Sequence, residues 1–373
     1  LQYQRDSSET NSSFSAPETY RSSLSLTWKQ PLFRSAGSIA SLYEYNKSRI
    51  DLEDQKLASE EELIAIRYEM LLEILDLMLL RDEYSIGKIS RDTNAYLLRI
   101  TQAKQREGLA SSLDVLESKL QFAEAKTRVK SSRSKLKMAV NSLGRRLGVE
   151  LDWDLEIDFL LQQDHRLPDT DEALKMALAR RRDLRRRKLA IKYRELDWRY
   201  YKNENRPDLA LTTTLQRSGE GNSRSAGSKL DDQSYVFALQ YTTRFGSRDE
   251  EILKSKFRKR LNLARLEYEQ LEEDLRLEVK NELQKLEDAK AMVELLEQQK
   301  LLAEKRYEYS QRAYENQLKA LLHVLEAEEE RTAKRAEYSK SLIDLTKARL
   351  SLLRSLGYSL DPKDLRRSLN SLL

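Results

Sequence analysis

Residues 21 to 28 alternate in polarity, with Leu24, Leu26 and Trp28 on one side and Ser23, Ser25 and Thr27 on the other, before Pro31 and Phe33 close the run. A period of two sends the apolar side chains to one face, so this segment is predicted to be a strand. Residues 235 to 242 repeat the pattern, with Tyr235, Phe237, Leu239 and Tyr241 opposed to Val236, Ala238, Gln240 and Thr242. Leu209, Leu211, Thr213 and Leu215 extend it over residues 207 to 215, and Leu1 to Arg5 reads as the end of a fourth strand. The strands pair as two hairpins, joined by Ser-rich Asp6 to Glu18 and by Ser- and Gly-rich Arg217 to Ser234. Neither connection has apolar periodicity, and such loops belong in water.

Each second strand runs into a segment without proline, residues 35 to 107 and 248 to 316. As helices, at 1.5 Å per residue, each reaches on the order of 100 Å. The second outgoing helix carries Leu275, Val279, Leu283, Leu286, Val293 and Leu296, and the returning one Tyr338, Leu342, Leu345, Leu352 and Leu356. The latter is a 3,4 seam broken once by Arg349, which must snorkel or find a partner there. Leu113, Leu116 and Leu120 keep the same spacing in the first half, so long helices are predicted to pack side by side. Between the halves, Leu151 to Pro168 is a mixed linker, and Asp169 to Asn205 a shorter amphipathic helix entering at Asp171.

The two halves also share words. Gly108-Leu-Ala-Ser-Ser-Leu-Asp114-Val-Leu-Glu117-Ser118 returns as Gln317-Leu-Lys-Ala-Leu-Leu-His323-Val-Leu-Glu326-Ala327, and Leu143, Leu147 and Gly148 return as Leu352, Leu356 and Gly357. A whole helical hairpin is therefore duplicated, about 209 residues apart.

Composition narrows the function. With 35% charged and 39% apolar residues but only 10 Gly and 5 Pro, the chain is ordered, elongated and helix-rich. Its net charge of +5 comes from 67 basic and 62 acidic residues, mostly interleaved as on solvated helix faces, which argues against nucleic acid. The densest basic run, Arg180 to Lys188, suits either a phosphate contact or a solvent-facing helix turn. No cysteine excludes disulfides and thiolate sites, and no run of 18 apolar residues offers a transmembrane helix. If this protein meets a membrane, strands do it. Strands of about 9 to 11 residues with one apolar face suit a tilted transmembrane barrel, but four cannot close one. Either three copies pool twelve strands, or the strands form a small soluble sheet.

Two strands, a long helix, a turn near Gly-x-x-x-x-Leu-Asp-Val-Leu, a returning helix ending in Leu-Gly, and then the whole again resembles the TolC family of outer-membrane efflux channels. Trp28-Lys-Gln-Pro-Leu-Phe33 is similar to that family's strand-to-helix junction, and Glu172 to Leu184 to its equatorial helix. Asn205-Arg-Pro-Asp-Leu209 is similar to the lead-in to its third strand. The resemblance divides the chain into a first repeat, 1–150, with strands 1–6 and 20–33 and a hairpin 35–148 whose tip lies near 108–114. A linker and equatorial helix follow at 151–205. The second repeat, 206–358, has strands 207–216 and 234–245 and a hairpin 248–357 with its tip near 314–323, and 359–373 is an equatorial tail.

The fold class implied is mainly α with transmembrane β: a homotrimer with a twelve-stranded barrel in the outer membrane of a Gram-negative-type bacterium. A twelve-helix coiled-coil barrel continues it across the periplasm and closes at the hairpin tips. Passive conduction is implied, with no cofactor, and with energy supplied by an inner-membrane pump of RND or ABC type through a periplasmic adaptor. The adaptor is expected around residues 103 to 120 and 312 to 330, including Gly108, Leu109, Ser112, Leu113, Gln317, Leu318 and Leu322. Lipid would meet Leu24, Leu26, Trp28, Leu209, Leu211, Tyr235, Phe237, Leu239 and Tyr241. The family's gate matches Tyr314 and Lys319 facing Asp114, with Tyr314 donating to the carboxylate and Lys319 pairing with it.

Three departures stand out. The family's aspartate rings at the pore constriction match His323 and Glu326. Three imidazoles would be neutral near pH 7 and charged below about pH 6, weakening cation selectivity in acid, although His323 also reads as a polar tip residue beside Val324. Gln317 replaces the glycine of the first tip, so the second tip is expected to turn differently. Repeat one lacks the helix that precedes strand three, which implies a missing N-terminal helix and export signal.

An enzyme is poorly supported by two histidines, His165 and His323, no cysteine and no phosphate-cradling loop. Glu328-Glu-Glu330 reads as a solvated face, since successive helical carboxylates point apart. The competing functions are a soluble coiled-coil scaffold, which has no evident use for Trp28, Phe237 and Tyr241, and type I protein secretion through the same fold.

Overall fold

The computed structural model describes residues 2–7, 20–152, 169–223, 225, 228–243 and 248–361, with backbone alone for 2–7 and 248. The first loop beyond Ser7, most of the linker with His165, and the tail beyond Asp361 lie outside the described residues. The elements run β1 (Gln2–Ser7), β2 (Tyr20–Pro31), α1 (Ser38–Ser41), α2 (Tyr43–Arg106), α3 (Ser112–Leu147), α4 (Thr170–Arg180) and α5 (Arg182–Glu204). They continue with β3 (Asp208–Gly221), β4 (Asp232–Thr242), α6 (Arg248–Glu315) and α7 (Leu321–Ser355). No helix among the described residues is long and apolar enough to cross a membrane.

Two compact units form, one from Leu1–Ala58 with Leu184–Gln270, the other from Ser59–Asp183 with Leu271–Leu373. The first holds a four-stranded antiparallel sheet in the order β1-β2-β3-β4. Register decides its faces, because directly paired residues of antiparallel strands share a side. Leu26 pairs with Leu215 and that with Tyr235, Trp28 with Thr213 and Phe237, Gln30 with Leu211 and Leu239, and Leu209 with Tyr241. The alternate rows, Thr27 with Thr214 and Val236, and Lys29 with Thr212 and Ala238, form the other, largely polar face. Every residue of β4 is exposed.

The sheet is tied to its helices by an aromatic and polar joint. Tyr43 stacks on Tyr200 with ring centroids 3.9 Å apart and donates to Asp197 Oδ1 at 2.8 Å, while Tyr201 stacks on Phe257 at 4.8 Å. Just after β2, Ser35 Oγ donates to Glu204 Oε1 at 2.7 Å. In this unit Arg186 pairs with Asp54 and Arg187 with Glu267. In the other, Arg181 pairs with Asp183 and Glu278, and Arg182 with Glu60. The basic run is therefore engaged in structural ion pairs, which removes the phosphate-contact reading.

The second unit is helical and its core follows the seams. Leu275, Val279, Leu283 and Leu286 of α6 are buried, the last three against Ala173 and Ala177 of α4 and Leu345, Leu352 and Leu356 of α7. α7 has a second apolar face, Ile343, Leu350 and Leu353, which packs on Leu75 of α2. Arg349, the break in the seam, is half-buried and engaged. α3 packs on α2 through Leu136, Val140 and Leu143 against Leu77. The predicted α3 seam is corrected. Leu113, Leu116 and Leu120 are 63%, 61% and 58% exposed, and Val115, Ser118, Ala125 and Val129 are buried instead. Two stripes with heptad spacing run along α3, and the smaller side chains of the second allow the closer approach of helices.

Candidate functional site at the hairpin tips

Both hairpins turn back by the same backbone device. After α2, Gly108 N–H donates to Gln105 O at 3.0 Å and Leu109 N–H to Lys104 O at 2.8 Å; after α6, Gln317 N–H donates to Tyr314 O at 3.1 Å and Leu318 N–H to Ala313 O at 2.7 Å. This pair of bonds is a Schellman stop and places Gly108 at φ 78° and Gln317 at φ 62° in the left-handed region. The helix stop itself is thus the same at both tips, contrary to the expectation from Gln317, since the hydrogen bonds dictate the conformation and glutamine is held in it. Left-handed backbone costs a side-chain-bearing residue about 1–2 kcal/mol, so Gln317→Gly is expected to raise stability by about 1 kcal/mol in a denaturant midpoint shift.

The turns differ at the next step. α3 starts with a capping box: Asp114 N–H donates to Ser111 Oγ at 3.1 Å, and Ser111 N–H returns to Asp114 Oδ2 at 2.8 Å. α7 starts after Ala320, which has no side chain to cap with. The first tip is therefore fixed by its own side chains, and the second by packing of Leu321, Val324, Leu325 and Ala327 on Leu97, Tyr307 and Tyr314.

Tyr314 joins the hairpins from inside this cluster. It is 6% exposed, and its hydroxyl is 3.0 Å from Thr101 Oγ1 on α2, which itself donates to Leu97 O at 2.9 Å. Ser118 Oγ of α3 adds a bond to Thr101 at 3.3 Å. Lys104 caps the end of α6, its Nζ donating to the Tyr314 carbonyl and lying 4.0 Å from the Tyr314 ring centroid. Burial pushes the Tyr314 phenol up and nearby Asp114 adds to this, while the Thr101 bond opposes it. Tyr314 thus sits in the field of Asp114 but bonds Thr101, and the Asp114 carboxylate is committed to Ser111. The expected Tyr314–Asp114 hydrogen bond is replaced by this Thr101-centred set, and Lys319 is exposed.

His323 and Glu326 are both exposed on the first turns of α7, with Nδ1 to Oε2 at 3.7 Å. Gly108, Leu109, Ser112, Leu113, Gln317, Leu318 and Leu322 are likewise exposed, Leu318 most of the large apolar ones at 77%. Glu328 corrects the reading of its acidic run: it is 2% exposed, whereas Glu329 faces solvent. The signal was a stripe at 3,4 spacing, Leu321, Val324, Glu328 and Arg331, which places a carboxylate at a seam position.

Structural comparison decides the architecture. The outer-membrane channel OprN matches with a TM-score of 0.76 at 16% identity, covering 96% of this chain and 81% of that one. The outer membrane protein VceC of Vibrio cholerae matches at 0.74 and 13% identity, covering 96% and 86% of the two chains. The open state of the Neisseria gonorrhoeae MtrE outer membrane channel matches at 0.72 and 14%, covering 96% and 80%. The chain has the fold of outer-membrane channels. By sequence it matches no family model and no curated protein. The channel fold agrees with the resemblance to the TolC family seen in the repeated phrases, and it accounts for a sheet joined directly to helical hairpins.

Proposed function

We propose that this chain is one subunit of a trimeric outer-membrane efflux channel of the TolC family, conducting substrates passively from the periplasm to the outside. The observation that carries this is the sheet. One face bears Leu24, Leu26, Trp28, Leu209, Leu211, Tyr235, Phe237, Leu239 and Tyr241, the opposite face is largely polar, and β1 and β4 are open edges. Such edges are a hazard in water and are removed in lipid by closure with further copies, giving twelve strands for three chains. The exposed stripe Leu113, Leu116 and Leu120 on α3 supports neighbouring copies along the helices as well. The tips, with exposed Leu109, Leu318 and Leu322, suit docking of a periplasmic adaptor coupled to an inner-membrane pump, and the Thr101–Tyr314–Lys104 set with Asp114 suits the gate. The chain is not an enzyme in this reading, and it needs no cofactor.

Planar-bilayer conductance of the detergent-extracted protein tests the reading. Small cation-selective channels, widened by loosening the tip, are expected; a protein without conductance that stays in the aqueous fraction overturns it. Exposed Glu326 would supply three carboxylates at the constriction, so Glu326→Gln is expected to lower the cation-to-anion permeability ratio several-fold without changing assembly, read from reversal potentials in a salt gradient.

A further inference from the structure

Besides Asp197, Glu328 is the only charged side chain that is buried among the described residues. Three helices surround it. Thr332 Oγ1 of α7 donates to Glu328 Oε1 at 3.2 Å, and Ser90 of α2 lies beside the carboxylate. Arg331, one turn along α7, forms an ion pair with Glu328 Oε2 that is not aligned as a hydrogen bond. The same guanidinium donates to Thr93 Oγ1 of α2 at 3.1 Å and lies 3.7 Å from the ring centroid of Tyr307 on α6. α2 belongs to the first hairpin, and α6 and α7 to the second. Both members of the pair lie on α7, and Arg331 carries the link to the first hairpin through Thr93, beside the tip cluster of Leu97, Tyr307, Val324 and Leu325.

An apolar pair of similar volume would hold this contact at least as firmly, because the mutual attraction of buried ions seldom exceeds their desolvation cost. The satisfaction here is also incomplete: Arg331 Nε is buried without a hydrogen bond. Burial pushes the Glu328 carboxyl up, opposed by Arg331 and by the Ser90 and Thr332 hydroxyls. Ions recover their hydration when water enters, whereas apolar surfaces do not. Separating a charged contact as water enters therefore costs less than separating an apolar contact of the same area.

We propose that the Glu328–Arg331 pair is a latch between the two hairpins, closed in the arrangement described and released into water when the tip opens. It rests on the channel reading and adds a gating element that acts away from the constriction.

The test pairs bilayer conductance with a distance. The chain has no cysteine, so Glu107→Cys and Leu322→Cys, both at exposed positions on different hairpins and outside the Leu113, Leu116 and Leu120 stripe, accept spin labels without background. Glu328→Gln leaves Arg331 without its counter-charge and is expected to raise the open fraction about tenfold, with a wider distribution of label separations. Thr93→Val, which deletes only the contact to α2, is expected to act in the same direction and more weakly, and carries the test if Glu328→Gln does not assemble. The double change Glu328→Met with Arg331→Leu is expected to fall below wild type in conductance. Unchanged conductance and unchanged separations in both polar variants overturn the latch while leaving the channel intact. Label separations that widen in a protein that never conducts overturn the channel reading and keep the link between hairpins.

Discussion

Phe237→Arg is expected to abolish recovery of the protein in the outer-membrane fraction. Phe237 is 72% exposed in the middle of β4, in the row shared by Trp28 and Thr213, with Leu239 and Tyr235 two residues to either side. If that face meets hydrocarbon, a mid-depth arginine costs about 2–4 kcal/mol in each strand that carries it, and a three-fold assembly multiplies the penalty. Its neighbour Val236 supplies the control. It is 54% exposed but lies in the row of Thr27 and Thr214, on the polar face, so Val236→Arg is expected to assemble with altered conductance. A small soluble sheet predicts the reverse ranking, with Phe237→Arg improving solubility and yield. Membrane fractionation followed by detergent extraction of both variants separates the two cases, and equal recovery of both would sink the barrel.

The contrast between the two faces is already legible in the sequence. Alternation over residues 21 to 28 and 235 to 242 names the apolar face, because a strand's period of two leaves no freedom once the register is set. The helices were legible for a related reason. Proline-free runs with Leu275, Val279, Leu283 and Leu286 at 3,4 spacing leave one buried stripe on α6. α3 carries two stripes, and periodicity alone does not say which one the chain buries itself and which remains for something else. Glu328 was misread for a different reason, since composition weighs a run of three glutamates as solvent-facing, whereas seam position decides burial. Tyr314 was reached by resemblance, but its partner Thr101 was not. A threonine hydroxyl on another helix leaves no pattern in the sequence, and the capping box that occupies Asp114 competes locally for the carboxylate.

The two stripes of α3 also sharpen the largest stability effect expected away from the sheet. Leu97 is fully buried and is the α2 residue around which Tyr307, Tyr314, Leu321 and Val324 pack, so Leu97→Ala removes side-chain volume that helices fixed on three sides cannot refill. A cost of about 2–5 kcal/mol is expected, read as a lowered unfolding midpoint. Because the cluster fixes the uncapped start of α7, the loss should appear at the second tip first, as earlier proteolysis after Leu318 and as larger conductance. Leu116→Ala is the informative partner. Leu116 is 61% exposed, so its removal should change the stability of an isolated chain by less than about 0.5 kcal/mol. If a neighbouring copy covers the stripe of Leu113, Leu116 and Leu120, the same substitution instead weakens association, and the oligomer dissociates at higher protein concentration than wild type. Leu97→Ala then lowers the thermal midpoint at all concentrations, while Leu116→Ala lowers it only near the dissociation range. Equal, concentration-independent losses in both variants would mean that α3 buries Leu116 against its own chain after all.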